Sequence, residues 1–175
     1  NIPNNQGVLN VCETVAPEGS LLNCIAPAPV AARAHTSQRI IDVVIGALAD
    51  ALPDAAVGAA NGANTTAVFS GVDPATGRGY LYLETLGGGF GGRNDRDGTD
   101  GVQVHITNTS NLPVEVIETE YPLRVDSYGL IADSGGAGRY RGGMGIRRVI
   151  GPVGHDCIFN GAGERFRRAH PAGSH

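Results

Sequence analysis

The sequence has no Lys and no Trp, so all 13 of its basic side chains are Arg. Charged residues make up 17% of the chain and the formal net charge is -4. That balance excludes a general polyanion binder, because nucleic acids are held by a surplus of cationic side chains. Cysteine is scarce as well: Cys12, Cys24 and Cys157 are odd in number and none stands in a CxxC spacing. A disulfide scaffold and a zinc ribbon are therefore disfavoured, and reduced thiols in a cytoplasmic protein are expected. No apolar run reaches the roughly 18 residues of a membrane span. No basic-then-apolar signal segment opens the chain, and its start on Asn1 rather than Met leads us to expect a piece of something longer.

What the chain has in excess is glycine, 27 of 175 residues, or about 15%, roughly twice ordinary usage. The glycines follow no G-x-y repeat, which excludes collagen. With 41% apolar residues the chain can bury a core, and its length suits one domain, so residues 1–175 read as a single segment. Val8 to Val15 reads as a strand, followed by a turn over Ala16-Pro17-Glu18-Gly19-Ser20 and an extended connector through Pro27 and Pro29. From about Thr36 to Leu52, apolar residues recur at helical spacing, with Thr36 or Ser37 as N-cap and Pro53 as the stop. Ile41, Val44 and Leu48 on that stripe are expected to pack on a sheet.

Strand signals follow at Asn64–Phe69 and Tyr80–Leu86, around an exposed loop marked by Asp73-Pro74 and Gly77. Further strands are expected at 102–106, 114–125, 128–131 and 145–150. The expected fold is α+β, a β-rich domain of about seven strands with one main amphipathic helix.

Gly87-Gly88-Gly89-Phe90-Gly91-Gly92-Arg93 does not read as a phosphate loop. No Lys-Ser/Thr closes it and no helix follows, and three acids come next, Asp95, Asp97 and Asp100. Close backbone packing or turns with positive φ explain these glycines better. Those acids fail the EF-hand pattern too, since the twelfth position from Asp95 is Ile106 rather than Glu. A tight turn whose Asp side chains cap local amides is expected instead. His105 reads as a mid-strand residue on a polar face with Gln103 and Thr107, either a hydrogen-bonded structural histidine or one that borders a cleft. Glu84 precedes the glycine run, and Asn108 and Glu118 follow His105, with Glu118 and Glu120 on one face of the expected strand. Carboxylates beside a polar histidine can move protons where burial tunes them. The candidate cleft set is thus Glu84, Asp95, His105, Asn108 and Glu118, with His105 as the proton-transfer group. His155, His170 and His175 lack ligand spacing.

Several motifs together resemble the hydantoinase B/oxoprolinase family. They are Glu84-Thr85-Leu86 with Gly87 to Gly92, Asp97-Gly98-Thr99-Asp100-Gly101, and His105-Ile106-Thr107-Asn108-Thr109 with Asn111, Pro113 and Glu115. Glu118, Tyr121-Pro122-Leu123-Arg124 and the run from Asp133-Ser134-Gly135-Gly136 to Gly145 continue the likeness. Pro17 to Asn23 and Thr36-Ser37-Gln38-Arg39-Ile40-Ile41-Asp42 extend it upstream. The resemblance implies a B-type subunit that pairs with an A-type, ATP-using partner in a hetero-oligomer. Relatives of this kind open hydantoins, 5-oxoproline or other lactams, or carboxylate ketones. It implies that the A-type partner phosphorylates a carbonyl oxygen and that the B-type subunit handles the activated intermediate. It also implies a divalent metal held by a more N-terminal part of the subunit, and ATP on the partner, with no cofactor bound by this segment. The chain is expected to be the C-terminal half of such a subunit, with the remainder of the subunit as its other partner. The competing expectation is a non-catalytic β-rich interaction module.

Overall fold

The computed structural model describes residues 13–163 together with Gly7 and Asn10, and it divides the chain into two compact units, Asn1–Ala32 and Arg33–His175. In the first unit the predicted turn is present. Ser20 N–H donates to the Pro17 carbonyl at 3.1 Å, and Gly19 takes a φ of +78°, which suits glycine. Glu13 to Val15 are not in a strand; of the rest of the expected strand only Asn10 is described, and it lies in a turn. His170 and His175 also fall outside the described residues.

Among the described residues, the second unit holds two helices and five strands: α1 (Arg33–Leu48), β1 (Thr65–Val72), β2 (Gly79–Leu86), α2 (Val114–Glu120), β3 (Leu123–Leu130), β4 (Ile146–Pro152) and β5 (Cys157–Ala162). The α+β class stands, with five strands in two sheets in place of about seven in one domain. The larger sheet has the order β2-β1-β5, all antiparallel, and the smaller pairs β3 with β4. The β1–β2 hairpin closes where expected, because Asp73 accepts from the Ala75 amide at 2.9 Å and the Thr76 hydroxyl at 2.7 Å, and Gly77 supplies a positive φ.

Alternation along β2 aims Tyr80, Tyr82 and Glu84 to the inner face, and leaves Leu81 and Leu83 outside. The inner face meets α2 and β3: Ala67, Phe69, Tyr82, Ile117 and Leu123 form the buried cluster, and Tyr82 stacks edge-on against Tyr121 at 5.1 Å. The β-branched residues of Val114–Glu120 predict an extended segment, yet it is helical. Pro113 caps it from an extended conformation, Ile117 drops fully into the core, and Tyr121-Pro122 ends it. One well-buried Ile outweighs the weak strand propensity of its neighbours. Residues 102–106 are not a strand either. Gly101 and His105 both have positive φ, and Thr107 N–H turns back to the Val104 carbonyl at 3.1 Å.

Helix α1 starts earlier and ends earlier than expected, at Arg33 and Leu48, so Thr36 and Ser37 lie within it rather than capping it. Its predicted apolar stripe does not pack on a sheet: Val44 and Leu48 are exposed, Ile41 is only half-buried, and Val43 beside them is exposed too. Gln38 is its one buried residue. The reason is that α1 sits on loops, reaching Asn61 and Val104 through Gln38 and His105 through Asp42.

Those loops form a web of glycine backbones. A Cβ on Gly89 would lie 1.8 Å from the Gly143 carbonyl oxygen, one on Gly91 1.8 Å from that of Gly58, and one on Gly98 1.9 Å from that of Phe90. The same segments exchange backbone hydrogen bonds, Gly58 N–H to Gly92 at 2.8 Å, Phe90 N–H to Thr99 at 2.9 Å and Gly143 N–H to Phe90 at 2.8 Å. The expected close backbone packing is what these glycines do.

Gly89→Ala should therefore destabilise the fold by at least the ~1–3 kcal/mol of an overpacked core, since its obstacle is a carbonyl rather than a flexible side chain. Gly46 lies in α1, and a Cβ there would meet nothing within 4 Å. Gly46→Ala should instead stabilise by about 0.5–1 kcal/mol. Denaturant unfolding of the two variants should give shifts of opposite sign.

Candidate functional site

The site forms where α1 meets the turn at 104–107. His105 Nε2 lies 2.8 Å from Asp42 Oδ1, with the imidazole 4% exposed and the carboxylate 27% exposed. A carboxylate only accepts, so Nε2–H is the donor and Nδ1 is left as the ring's proton acceptor. Arg39, three residues before Asp42, reaches its other oxygen at 3.4 Å. Gly62 makes room for that guanidinium, since a Cβ there would fall 2.1 Å from Arg39 Nη1. Phe90, inside the glycine run, faces the imidazole with ring centres 6.1 Å apart.

Asp42 and His105 open on a cleft of about 220 Å³, whose other wall is Val57 to Ala60 and whose floor includes Ile45, Gly46 and Ala49. Ala59 and Ala60 also border a second, larger groove of about 640 Å³, lined by Gly87 to Phe90, Gly142 and Gly143 and bearing no charged side chain. A histidine held by a carboxylate at the edge of a small cleft is equipped for general acid–base chemistry. Among the described residues, no three His, Cys, Asp or Glu side chains converge to hold a metal ion.

The other candidates go elsewhere. Glu84 is buried in an ion pair with Arg148 of β4, whose side chain is 1% exposed. Arg148 also donates to the Leu112 carbonyl at 3.2 Å and lies over the Tyr128 ring at 3.9 Å. Burial raises the pKa of the neighbouring Tyr82 phenol, and the Glu84 carboxylate adds to the rise. Glu84 thus joins the two sheets. Asp95 is exposed and paired with Arg96 at 2.9 Å. Asn108 is exposed in the loop before α2. Glu118 lies on α2 rather than a strand, exposed, and its carboxylate accepts from the Val125 amide at 2.9 Å. Of the sequence-predicted set, only His105 reaches the cleft. Asp42 and Arg39 were missed as site residues. Their signal was present, as polar side chains breaking an otherwise apolar helix, with Gln38 and Asp42 one turn apart on one face.

The family model for hydantoinase B/oxoprolinase matches residues 1–175. The chain belongs to the hydantoinase B/oxoprolinase family. It is 45% identical over 167 residues to a Methanocaldococcus jannaschii protein described as uncharacterized, a match covering 95% of this chain and 28% of that one. It is 38% identical over 150 residues to 5-oxoprolinase 1 of Arabidopsis thaliana, covering 85% of this chain and 11% of that one. It is 31% identical over 172 residues to the caprolactamase subunit beta of Pseudomonas jessenii, covering 93% of this chain and 29% of that one. The chain therefore spans from about a tenth to under a third of the length of these relatives. Among the described residues, no helix of this family member is long and apolar enough to cross a membrane.

Asp97 and Asp100 of the acidic run do not cap local amides as expected; they bond to the distant 141–144 segment instead. Asp97 accepts from the Arg141 amide at 2.9 Å, and Asp100 takes the Arg141 guanidinium at 2.7 and 3.1 Å and the Met144 amide at 2.7 Å. Arg141, and then the Met144 amide, hold the Asp100 carboxyl below the ordinary value of 3.8. A depressed folded pKa gives stability that is present above the unfolded value and is lost as pH falls through the folded one. Acid unfolding followed by circular dichroism should show this loss below the ordinary carboxylate range. Asp100→Asn should be less stable than the parent at neutral pH and lose less on acidification.

Proposed function

We propose that this chain is part of a B-type subunit of a cyclic-amide hydrolase, of the hydantoin or 5-oxoproline type, or of a related ketone carboxylase. The observation that carries the reading is the Asp42–His105 pair, its imidazole nearly buried and its carboxylate partly open, on a cleft of its own within a chain of this family. In this reading an A-type partner uses ATP to phosphorylate the substrate's carbonyl oxygen, and the B-type subunit takes over the activated intermediate. Phosphorylation makes the carbonyl carbon electrophilic enough for water to add. The adduct then collapses by breaking the C–N bond, the ring nitrogen taking up a proton. The acyl phosphate that is left is hydrolysed by a second water to carboxylate and phosphate. His105 accepts a proton from the attacking water through Nδ1 while Nε2–H stays on Asp42. Asp42 fixes the tautomer and stabilises the imidazolium that forms. Any divalent metal belongs, in this proposal, to the remainder of the subunit. The assembly is a cytoplasmic hetero-oligomer.

A second reading, a non-catalytic β-rich interaction module, is favoured by the apolar surface. Val43, Val44 and Leu48 on α1, and Leu81, Leu83 and Ile158 on the larger sheet, are all exposed. Faces of this kind mark contact with other protein.

The two readings separate in the assembled enzyme. His105→Ala should lower ATP-dependent kcat for the assembly's lactam or hydantoin by about 10²–10⁴, the range of a lost general base. Asp42→Asn should fall in the same direction, because an amide can donate and so favours the wrong tautomer. Product release from 5-oxoproline and a hydantoin, measured with and without ATP, gives the readout. Turnover at the parent's rate in both variants would favour the interaction module.

A further inference from the structure

We propose that Gln38 is a positioning residue for the Asp42–His105 pair, holding helix and turn at the spacing the pair needs. The proposal rests on the reading of His105 as proton acceptor. Gln38 is 1% exposed on a helix that leaves Val43 and Val44 at 69% and 50%. Burying an amide while valines face solvent runs against transfer energetics, so the hydrophobic effect does not account for it.

Geometry does. Gln38 Nε2 donates to the Val104 carbonyl at 3.3 Å and to the Asn61 carbonyl at 3.4 Å. Val104 directly precedes His105, and Gln38 precedes Asp42 by one helical turn. The Gln38–Val104 and Asp42–His105 contacts are therefore adjacent rungs between the same two elements. The Asn61 rung adds the cleft wall. Its N–H donates to the Gly89 carbonyl at 2.9 Å, its side chain occupies the place where a Cβ on Gly88 would fall, and its neighbours Ala59 and Ala60 line the cleft. One amide thus ties together the helix, the wall and the histidine turn.

The turn needs such a tie. His105 sits at φ +55°, a backbone conformation that costs a non-glycine residue energy and that surrounding structure must enforce. Thr107 N–H to the Val104 carbonyl closes it from within, and Gln38 holds the same carbonyl from outside. Nor is Gln38 the residue that stability alone would select. Its Oε1 is buried without a hydrogen-bond partner among the described residues, and the two bonds it donates are long. A stranded acceptor destabilises, whereas a side chain such as Met fills similar space without one.

The test compares Gln38→Met and Gln38→Leu with the parent in the assembled enzyme, reading thermal unfolding, kcat, KM and the His105 ring N–H proton resonance. The expected result is an unchanged or higher Tm, a kcat lower by roughly tenfold to a hundredfold, as for a misplaced catalytic group, and a KM little altered. The ring N–H signal should broaden or vanish as its bond to Asp42 loosens. Parent-like kcat with an intact ring signal would overturn the proposal. So would a parallel fall in Tm and kcat, or failure of both variants to fold, since each marks Gln38 as a residue of fold stability. His105→Ala is measured alongside. Full turnover there would sink the role of His105 itself, whereas loss there with parent-like Gln38 variants would sink only the positioning role.

Discussion

Everything in the second unit is arranged around backbone lying directly on backbone. The short run from Gly87 to Gly92 meets the backbone of Val102, Gly143, Gly58 and Tyr140 and the side chain of Asn61, each at a distance that no Cβ could share. Contacts this close bury peptide groups, which is tolerable only if those groups bond each other, and the crossing segments do so through Gly58, Gly88, Phe90, Gly98 and Gly143 amides. The hydrophobic cluster is correspondingly small, and hydrogen bonding across loops takes over part of what side-chain packing does elsewhere. The consequence for function is positional. The web fixes Asn61 and the 104–105 turn, both of which α1 grips through Gln38. A site carried on loops gains the definition of a sheet when those loops are laced together in this way.

Two carboxylate pairs then divide the work. Glu84 and Arg148 are both almost fully enclosed, and Arg148 spends its guanidinium on Glu84, the Leu112 carbonyl and the Tyr128 ring. Parting two groups enclosed in this way is costly. The pair suits a clasp between sheets and not a proton carrier. Asp42 and His105 differ in the property that matters. The carboxylate is partly open, Arg39 balances it, and the imidazole keeps one nitrogen outside the pair.

How much of this the sequence disclosed depends on the range of the interaction. The β1–β2 hairpin was legible because Asp73, Pro74 and Gly77 define their own turn locally, and the glycine run was legible as close packing because it lacked what a phosphate loop requires. Helix α2 was not, since Val114, Val116 and Ile117 read as strand until the pocket that receives Ile117 is known. Strand β5 was not, because Cys157 to Ala162 becomes a strand only by pairing with β1 across the intervening chain. Within the site, His105 was found for its polarity but assigned the wrong backbone. The alternation at 102–106 conceals a left-handed φ that only contact with α1 explains. Asp42 escaped because an apolar stripe draws attention to the face of a helix expected to be buried, and here the buried contacts lie on the polar one.

That inversion of α1 connects with the larger sheet. Strand β2 reads Tyr80-Leu81-Tyr82-Leu83, apolar on both faces, which is the pattern of a strand covered from both sides rather than from one. Only its inner face is covered by described residues, and Leu81, Leu83 and Ile158 stand open on the other. Helix α1 carries the equivalent pattern on its outward stripe. Water-facing elements of a self-sufficient domain have no reason to be apolar on the side away from their core. These two are therefore patterned as interior elements, in a chain matching under a third of the length of the relatives compared. The polar face of α1 is already committed to the web and to His105, so packing on its apolar stripe does not compete for the residues that form the site.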